Sequence, residues 1–457
     1  MRVRGRIGDG EAQRNRESRA PPMRQQSAVS ADCHHVRAVA EDGQSELALR
    51  RFGSSARAGW RSSLALALVL LTGLYALTAT WSPPYNVDAF TNAVQARSFA
   101  ANGSAAVDEA AELVAPEYRG TVGWFTDSPS GPTSQYPPGV AAWGAIFYAF
   151  DTSQETIDVT WSNAETGDGG DLVLTVPSMG PAAVASVLAV VVAMLFFALT
   201  MRQLTTERNA LLAATVAALG TGAWSVASDK LWQHGPAMMM ISIGCYLSSR
   251  DRFALAGMAF GGAILVRPHT ALIAAGVGCA VALSRRSLWP MVKLGAASAL
   301  GLGVLVLYNA AVFDTASISG GYGSTFSGRV TTTSPLTLGG RVIDAFIDPA
   351  VGMLWTSPFI AVAIVGAWKI RKEAPDWALG AAIGGVAYLL MQYQANRVSG
   401  GSGFFSYRYP LEALMAAAPL LALGTIAWID SSTSRQRIFA ALAGASILLH
   451  GLGAITT

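Results

Sequence analysis

Five polar constellations stand at the edges of the chain's apolar runs, and each holds side chains able to handle protons or anions. Asp88 stands in Tyr85-Asn86-Val87-Asp88-Ala89-Phe90, just beyond the first apolar run. A carboxylate at a membrane surface can take a proton from an acceptor hydroxyl; the plainer reading is a helix-start acid favoured by capping and the helix dipole. Tyr136-Pro137-Pro138-Gly139 opens a short apolar stretch, so Tyr136 is either a pocket residue or an interfacial aromatic anchor. Asp229-Lys230-Leu231-Trp232-Gln233-His234-Gly235-Pro236 gathers a cation, an indole, an amide and an imidazole into one tight turn. Arg267-Pro268-His269 breaks two apolar runs; arginine suits phosphate because its planar fork is always charged, although a snorkelling arginine is the alternative. Last, Gly400-Gly401-Ser402-Gly403 leads through Phe404, Phe405, Ser406 and Tyr407 to Arg408, Tyr409 and Pro410, a glycine run that lets backbone approach a ligand beside a cation.

These residues need a scaffold, and composition says which kind. Hydrophobic residues make up 52% of the 457 and charged residues only 13%, about half the charged share of a soluble domain. The charges cluster between apolar runs of nearly the ~20 residues that cross a bilayer as helix. Backbone in lipid must satisfy itself, so such runs are helical. The reading is an all-α polytopic membrane protein. The net charge of +3 forms no basic patch, so nucleic acid is not an expected partner. Three cysteines exclude a disulfide framework, and Cys245 and Cys279 sit in apolar helices as inert packing residues.

Residues 1–62 are polar, arginine-rich and aperiodic, which reads as a disordered cytoplasmic tail; Met23 offers a second start. The rest, 63–457, is the membrane domain. Spans are expected near 63–80, 180–201, 209–226, 235–249, 253–267, 270–284, 293–313, 352–369, 376–394, 409–428 and 438–455. With alternating crossings, every inside loop carries Lys or Arg: Arg202 and Arg208; Arg250 and Arg252; Arg285, Arg286 and Lys293; Lys369, Arg371 and Lys372; Arg435 and Arg437. That places the N-terminus in the cytoplasm, the C-terminus outside and the chain in the plasma membrane. Residues 253–284 form either two short helices broken at Arg267-Pro268 or one kinked element.

The extracytoplasmic first loop, 81–179, holds twelve acidic residues against Arg97 and Arg119. Within it, 87–101 has Val87, Phe90, Val94 and Phe99 at helical spacing, as an amphipathic helix would. The apolar stretch 137–150 is too short to span and is expected in the interface. Residues 155–176 alternate about a turn at 167–171, a β-hairpin insertion. Further outside stretches are 314–350 and 395–408. Pairs such as Gly257 and Gly261, or Gly380 and Gly384, allow close helix packing. A divalent cation could bind the loop acids, although no ligand spacing identifies a metal site.

The order of these pieces resembles the GT-C superfamily of membrane glycosyltransferases, especially the branch of protein mannosyltransferases, aminoarabinose transferases and Rgt-like lipopolysaccharide sugar transferases. The resemblance covers most of 63–428: an acid soon after the first span, Tyr136-Pro137-Pro138-Gly139, Trp232-Gln233-His234-Gly235-Pro236, Arg267-Pro268, Tyr308-Asn309, Ser357-Pro358, and a glycine stretch ending in Arg408-Tyr409. It departs in having one acid where several relatives have two, and Tyr136 where aminoarabinose transferases carry lysine. The resemblance implies a sugar moved from a polyprenyl-phosphate donor to a glycan, lipid or protein acceptor outside the membrane. It implies Asp88 as general base, Lys230, Arg267 and Arg408 on the phosphate, and Tyr136, His234 and Tyr409 lining the pocket. A flippase or transporter of a lipid-linked solute would instead place ionisable groups mid-span, and here they sit at span ends. A third reading is a non-catalytic scaffold of the cell envelope.

Overall fold

Helices dominate because long apolar runs leave the backbone no partner but itself. A computed structural model describes residues 43–83, 86–118, 120–163 and 167–456. Residues 1–42, most of the expected tail, lie outside these. The first helix, Gly43–Thr78, begins within the remainder of that tail.

Among the described residues, five helices are long and apolar enough to cross a bilayer: Gly59–Thr78 within the first helix, Gly180–Leu204, Trp289–Phe313, Leu411–Ile429 and Thr433–Thr456. Three of them, Gly59–Thr78, Trp289–Phe313 and Thr433–Thr456, carry bare apolar side chains, including Leu77, Leu307, Leu448 and Ile455, which marks them for a non-aqueous partner. The other expected spans appear as Glu207–Leu219, His234–Ser248, Phe253–Val266, Ala271–Arg285, Phe359–Ile370 and Asp376–Ala395. Most of these are shorter than a bilayer is thick, so helix length establishes five candidate spans rather than eleven. Local breaks explain the shortening. A π-turn, Ala223–Ala227, follows Gly220. Pro358 separates the turn Met353–Thr356 from the next helix. Arg267-Pro268 does divide 253–284 into two helices, joined by a 3₁₀ turn at Pro268–Thr270.

Small residues set the packing. A Cβ on Gly301 would lie 2.3 Å from the carbonyl oxygen of Gly261, and one on Gly257 2.3 Å from that of Leu294. The helices Phe253–Val266 and Trp289–Phe313 therefore touch backbone to backbone. Gly276 and Gly380 lock Ala271–Arg285 onto Asp376–Ala395 in the same way, as do Gly366 and Gly424 for Phe359–Ile370 and Leu411–Ile429. The glycine spacings read from the sequence have this close approach as their cause.

The first loop folds into a lobe with its own core, in which Phe90, Val94, Leu113, Phe125, Val140, Tyr148, Leu174 and Val176 meet Leu231 and Val266 from the helix ends. The helix Val87–Asn102 is not amphipathic, contrary to its spacing. Thr91, Asn92, Gln95 and Ser98 are buried together with Phe90 and Val94. Each polar group has a partner: Asn92 Nδ2 donates to the Leu231 carbonyl at 2.9 Å, and Gln95 Oε1 accepts from Thr133 Oγ1 at 3.0 Å and the Ser134 amide at 2.9 Å. Loop segments wrap the side that the pattern assigned to water. The short apolar helix is Gly139–Tyr148, packed on the helix Val87–Asn102. The expected hairpin is present as antiparallel strands Gln154–Ser162 and Gly169–Pro177, so its turn lies ahead of 169 rather than at 167–171. The stretch 314–350, read only as an outside segment, carries two helices, Thr325–Thr332 and Pro335–Ile347.

Candidate functional site

Asp88 owes its position to local helix chemistry. Asn86 caps the helix by accepting from the Asp88 amide at 2.9 Å, and its Nδ2 donates to the Ser402 carbonyl at 2.6 Å. One amide thus starts the helix and ties it to the glycine run more than three hundred residues later. Gly400, Gly401 and Gly403 in that run have φ of +67°, +101° and +78°, backbone that favours glycine. A Cβ on Gly400 would sit 2.9 Å from Arg408 Nε, so the run also clears space for that side chain.

The result is a three-residue junction. Asp88 Oδ2 accepts from Arg408 Nη1 at 2.5 Å, and Asp88 Oδ1 accepts from the Tyr136 hydroxyl at 2.5 Å. The Arg408 guanidinium lies 4.8 Å from the ring centre of Trp232, 5.0 Å from Tyr409 and 5.2 Å from Phe404. Its faces are covered by rings, in the geometry of cation–π contact. Tyr136 is held by its two prolines and by Gly139, whose Cβ would meet the Leu265 carbonyl at 2.6 Å. Tyr322 closes over it with ring centres 5.9 Å apart.

Beside this junction sits a second, largely buried network. Arg267 donates from Nη1 to the Tyr388 hydroxyl at 3.2 Å and from Nη2 to Gln233 Oε1 at 3.3 Å. Its Nε stands 3.1 Å from Glu412 Oε1, an ion-pair distance without hydrogen-bond alignment. His234 Nδ1 shares Glu412 Oε1 at 2.9 Å. His269 contacts Gln392 Oε1 at 2.7 Å and stacks on Tyr388 with ring centres 4.6 Å apart. Buried charges at this depth persist only when paired and hydrogen-bonded.

The charges set the protonation states. Burial pushes the Asp88 carboxyl up, but the Arg408 charge and the hydrogen bonds from Tyr136 and Arg408 outweigh it and hold Asp88 below the usual carboxylate range. Burial, with Asp88 beside it, pushes the Tyr136 hydroxyl well up, so it stays a proton donor. Burial and the nearby Arg267 charge push His269 down to about 4, leaving it neutral.

The loop that delivers Arg408 is clamped from the other side. Thr356 and Ser406 share a hydrogen bond of 2.5 Å, and Ser406 adopts a φ of 74°. The Tyr407 hydroxyl meets Ser357 Oγ at 2.8 Å, and that oxygen contacts His450 Nε2 at 2.8 Å. His450 Nδ1 reaches Ser225 Oγ, also at 2.8 Å.

Of the residues singled out from sequence, Asp88, Tyr136, Arg408 and Tyr409 converge, and Arg267 and His234 form the adjoining network. Arg267 is close enough for its charge to act on Asp88. Lys230 is placed differently. Its ammonium is buried against Asp229 at 2.5 Å, and Asp229 accepts from Thr80 Oγ1 at 2.6 Å. The whole 229–234 turn is buried, not a surface turn. Sequence reasoning missed Glu412, Tyr388, Gln392 and Tyr322. A lone acid in the first turn of an apolar span was the available signal for Glu412. Tyr388 and Gln392, four apart in an apolar helix, were the signal on Asp376–Ala395. Among the described residues no three His, Cys, Asp or Glu side chains gather in a way that could hold a metal ion.

No protein-family model and no curated protein sequence matches the chain. Among solved structures it is similar to the crystal structure of the Archaeoglobus fulgidus oligosaccharyltransferase in complex with zinc and sulfate, at 14% identity and a TM-score of 0.47. That similarity covers 85% of this chain and 53% of the archaeal protein, so the chain spans about half of that protein's length.

Proposed function

We propose that this chain is a membrane glycosyltransferase that moves a sugar from a polyprenyl-phosphate donor to a glycan, lipid or protein acceptor at the outer face of the membrane. The observation that carries this reading is the Asp88–Arg408 pair with Tyr136 on the same carboxylate. It joins an acceptor of protons to a cation suited to phosphate, with Arg267 beside them.

In the proposed reaction the acceptor hydroxyl gives its proton to an Asp88 oxygen as its own oxygen bonds to the anomeric carbon. The bond from that carbon to the phosphate oxygen breaks, and its electron pair leaves on the phosphate. Arg408, with Arg267 behind it, stabilises the charge that develops there. Attack opposite the leaving group inverts the anomeric centre. Tyr136 and Tyr322 wall the pocket, and Trp232 and Tyr409 hold the Arg408 faces. His234 acts by fixing Glu412 and so Arg267. Lys230, paired to Asp229, supports the turn that carries Trp232. A transport cycle would call for ionisable groups in mid-span, and this network lies at helix ends.

The test is transfer from a radiolabelled polyprenyl-phosphate sugar by the purified chain in lipid nanodiscs. Asp88→Asn is expected to lower the rate by about 10²–10⁴-fold, the range for a general base, with an unchanged elution profile. Full transfer by that variant would remove Asp88 from the chemistry.

A further inference from the structure

Asp88 is already engaged in the structure as it stands. One carboxylate oxygen takes the Tyr136 hydroxyl and the other takes Arg408. A carboxylate neutralised by a guanidinium at 2.5 Å is a weak base, because removing its partner's field is what restores its basicity. Arg408 cannot at once hold Asp88 this way and give the same Nη1–H to a phosphate. The two roles assigned to the pair are therefore exclusive in time.

The surroundings of Arg408 allow an exchange. Three rings cover its guanidinium, and such contacts hold a plane while leaving its edge able to slide. In the plane itself its hold is thin: one strong bond to Asp88 and one of 3.4 Å to the Tyr409 hydroxyl. Arg267 is built the other way, with Glu412, Tyr388, Gln392 and Gln233 around it in the plane. One arginine is fixed and the other has donor capacity to spare. A phosphate presents two oxygens to a guanidinium edge, the bidentate match that a carboxylate held by one nitrogen does not use.

We infer that the phosphate of the lipid carrier takes Arg408 away from Asp88, so that an anionic carrier is the obligatory first ligand and its arrival frees the carboxylate that will accept the proton. The inference rests on the glycosyltransferase reading and adds an order of events to it. Donor binds first and acceptor second. A neutral lipid alcohol of the same length does not prime the site.

The order has an unusual consequence for the variant that disables the base. In wild type, phosphate must compete with Asp88 for Arg408; in Asp88→Asn the competitor's charge is gone. Equilibrium binding of tritiated farnesyl phosphate to the full chain in nanodiscs, with farnesol as the neutral probe, reads this directly. Asp88→Asn is expected to bind farnesyl phosphate about tenfold more tightly than wild type, near the low end of the coupling measured for close charge pairs, with farnesol unchanged. Adding Arg408→Gln to Asp88→Asn is expected to erase that gain. Equal or weaker binding by Asp88→Asn overturns the exchange, and so does a gain that survives in the double variant, which would report bare charge repulsion. A cryo-EM structure of wild type with farnesyl phosphate tests the same point without any substitution: Arg408 should lie on the phosphate, beyond 4 Å from Asp88, and an intact pair overturns the inference. The two readings fail separately. Tighter binding together with full transfer in Asp88→Asn removes the base and keeps the exchange, whereas lost transfer with unchanged binding does the reverse.

Discussion

At the scale of single residues, Asp88 is distinguished less by its position than by what it touches. Its carboxyl is held below the usual carboxylate range once Arg408 and Tyr136 have offset the effect of burial. The sign of the pH effect follows. A lowered folded value contributes stability that is complete above the unfolded value of about 3.9 and is lost as pH falls through the folded one. Melting temperature is therefore expected to show no pH dependence from Asp88 between pH 5 and 8, and an acid limb below about pH 4 that Asp88→Asn lacks. Melting scans across pH for both proteins check this; a wild-type limb near pH 6 that disappears in the variant would contradict the pairing. The sequence made Asp88, Tyr136 and Arg408 legible because each stands at the edge of an apolar run. Glu412 was not legible as a partner, since nothing in Pro410-Leu411-Glu412 says that Arg267 and His234 lie opposite. Contacts between residues more than a hundred positions apart are set by packing, which a single sequence does not display.

At the scale of elements, glycine spacing and the alternation of the hairpin were readable, and the hydrophobic spacing of one helix was not. Gly257 and Gly261 pack as their four-residue interval implies, with Gly301 opposite. The helix Val87–Asn102 misled because an apolar stripe says which side is buried and not whether the other side is covered too. The same geometry yields a clean pair of substitutions. Gly301→Leu places a side chain where a Cβ already meets backbone at 2.3 Å, whereas Gly295 on the same helix has nothing within 4 Å. Gly301→Leu is expected to destabilise by about 1–3 kcal/mol or more, and Gly295→Leu by less than about 0.5. Thermal melting in nanodiscs distinguishes them, and equal losses would mean that these two helices do not meet as described.

At the scale of the whole molecule, the class of membrane protein was legible from composition, and the count of crossings was not. Apolar runs of similar length became helices of 25 residues in one place and 12 in another, because Pro358, Arg267-Pro268 and the π-turn at Ala223–Ala227 interrupt them. Orientation rests on the positive charges of the short loops. With the native cysteines replaced by serine, a single cysteine at Ser130 is expected to react with a membrane-impermeant maleimide on intact cells, and one at Ser287 is not. The opposite labelling would invert the chain and move the proposed site to the other face. His450, in the last helix, holds Ser225 and Ser357, and Ser357 holds Tyr407 next to Arg408. Asp88 leaves the ribosome more than a hundred residues before any of these. Until residue 408 has been made the lobe therefore carries an acid without its cation, and insertion of Thr433–Thr456 adds the His450 clamp on the loop that holds Arg408.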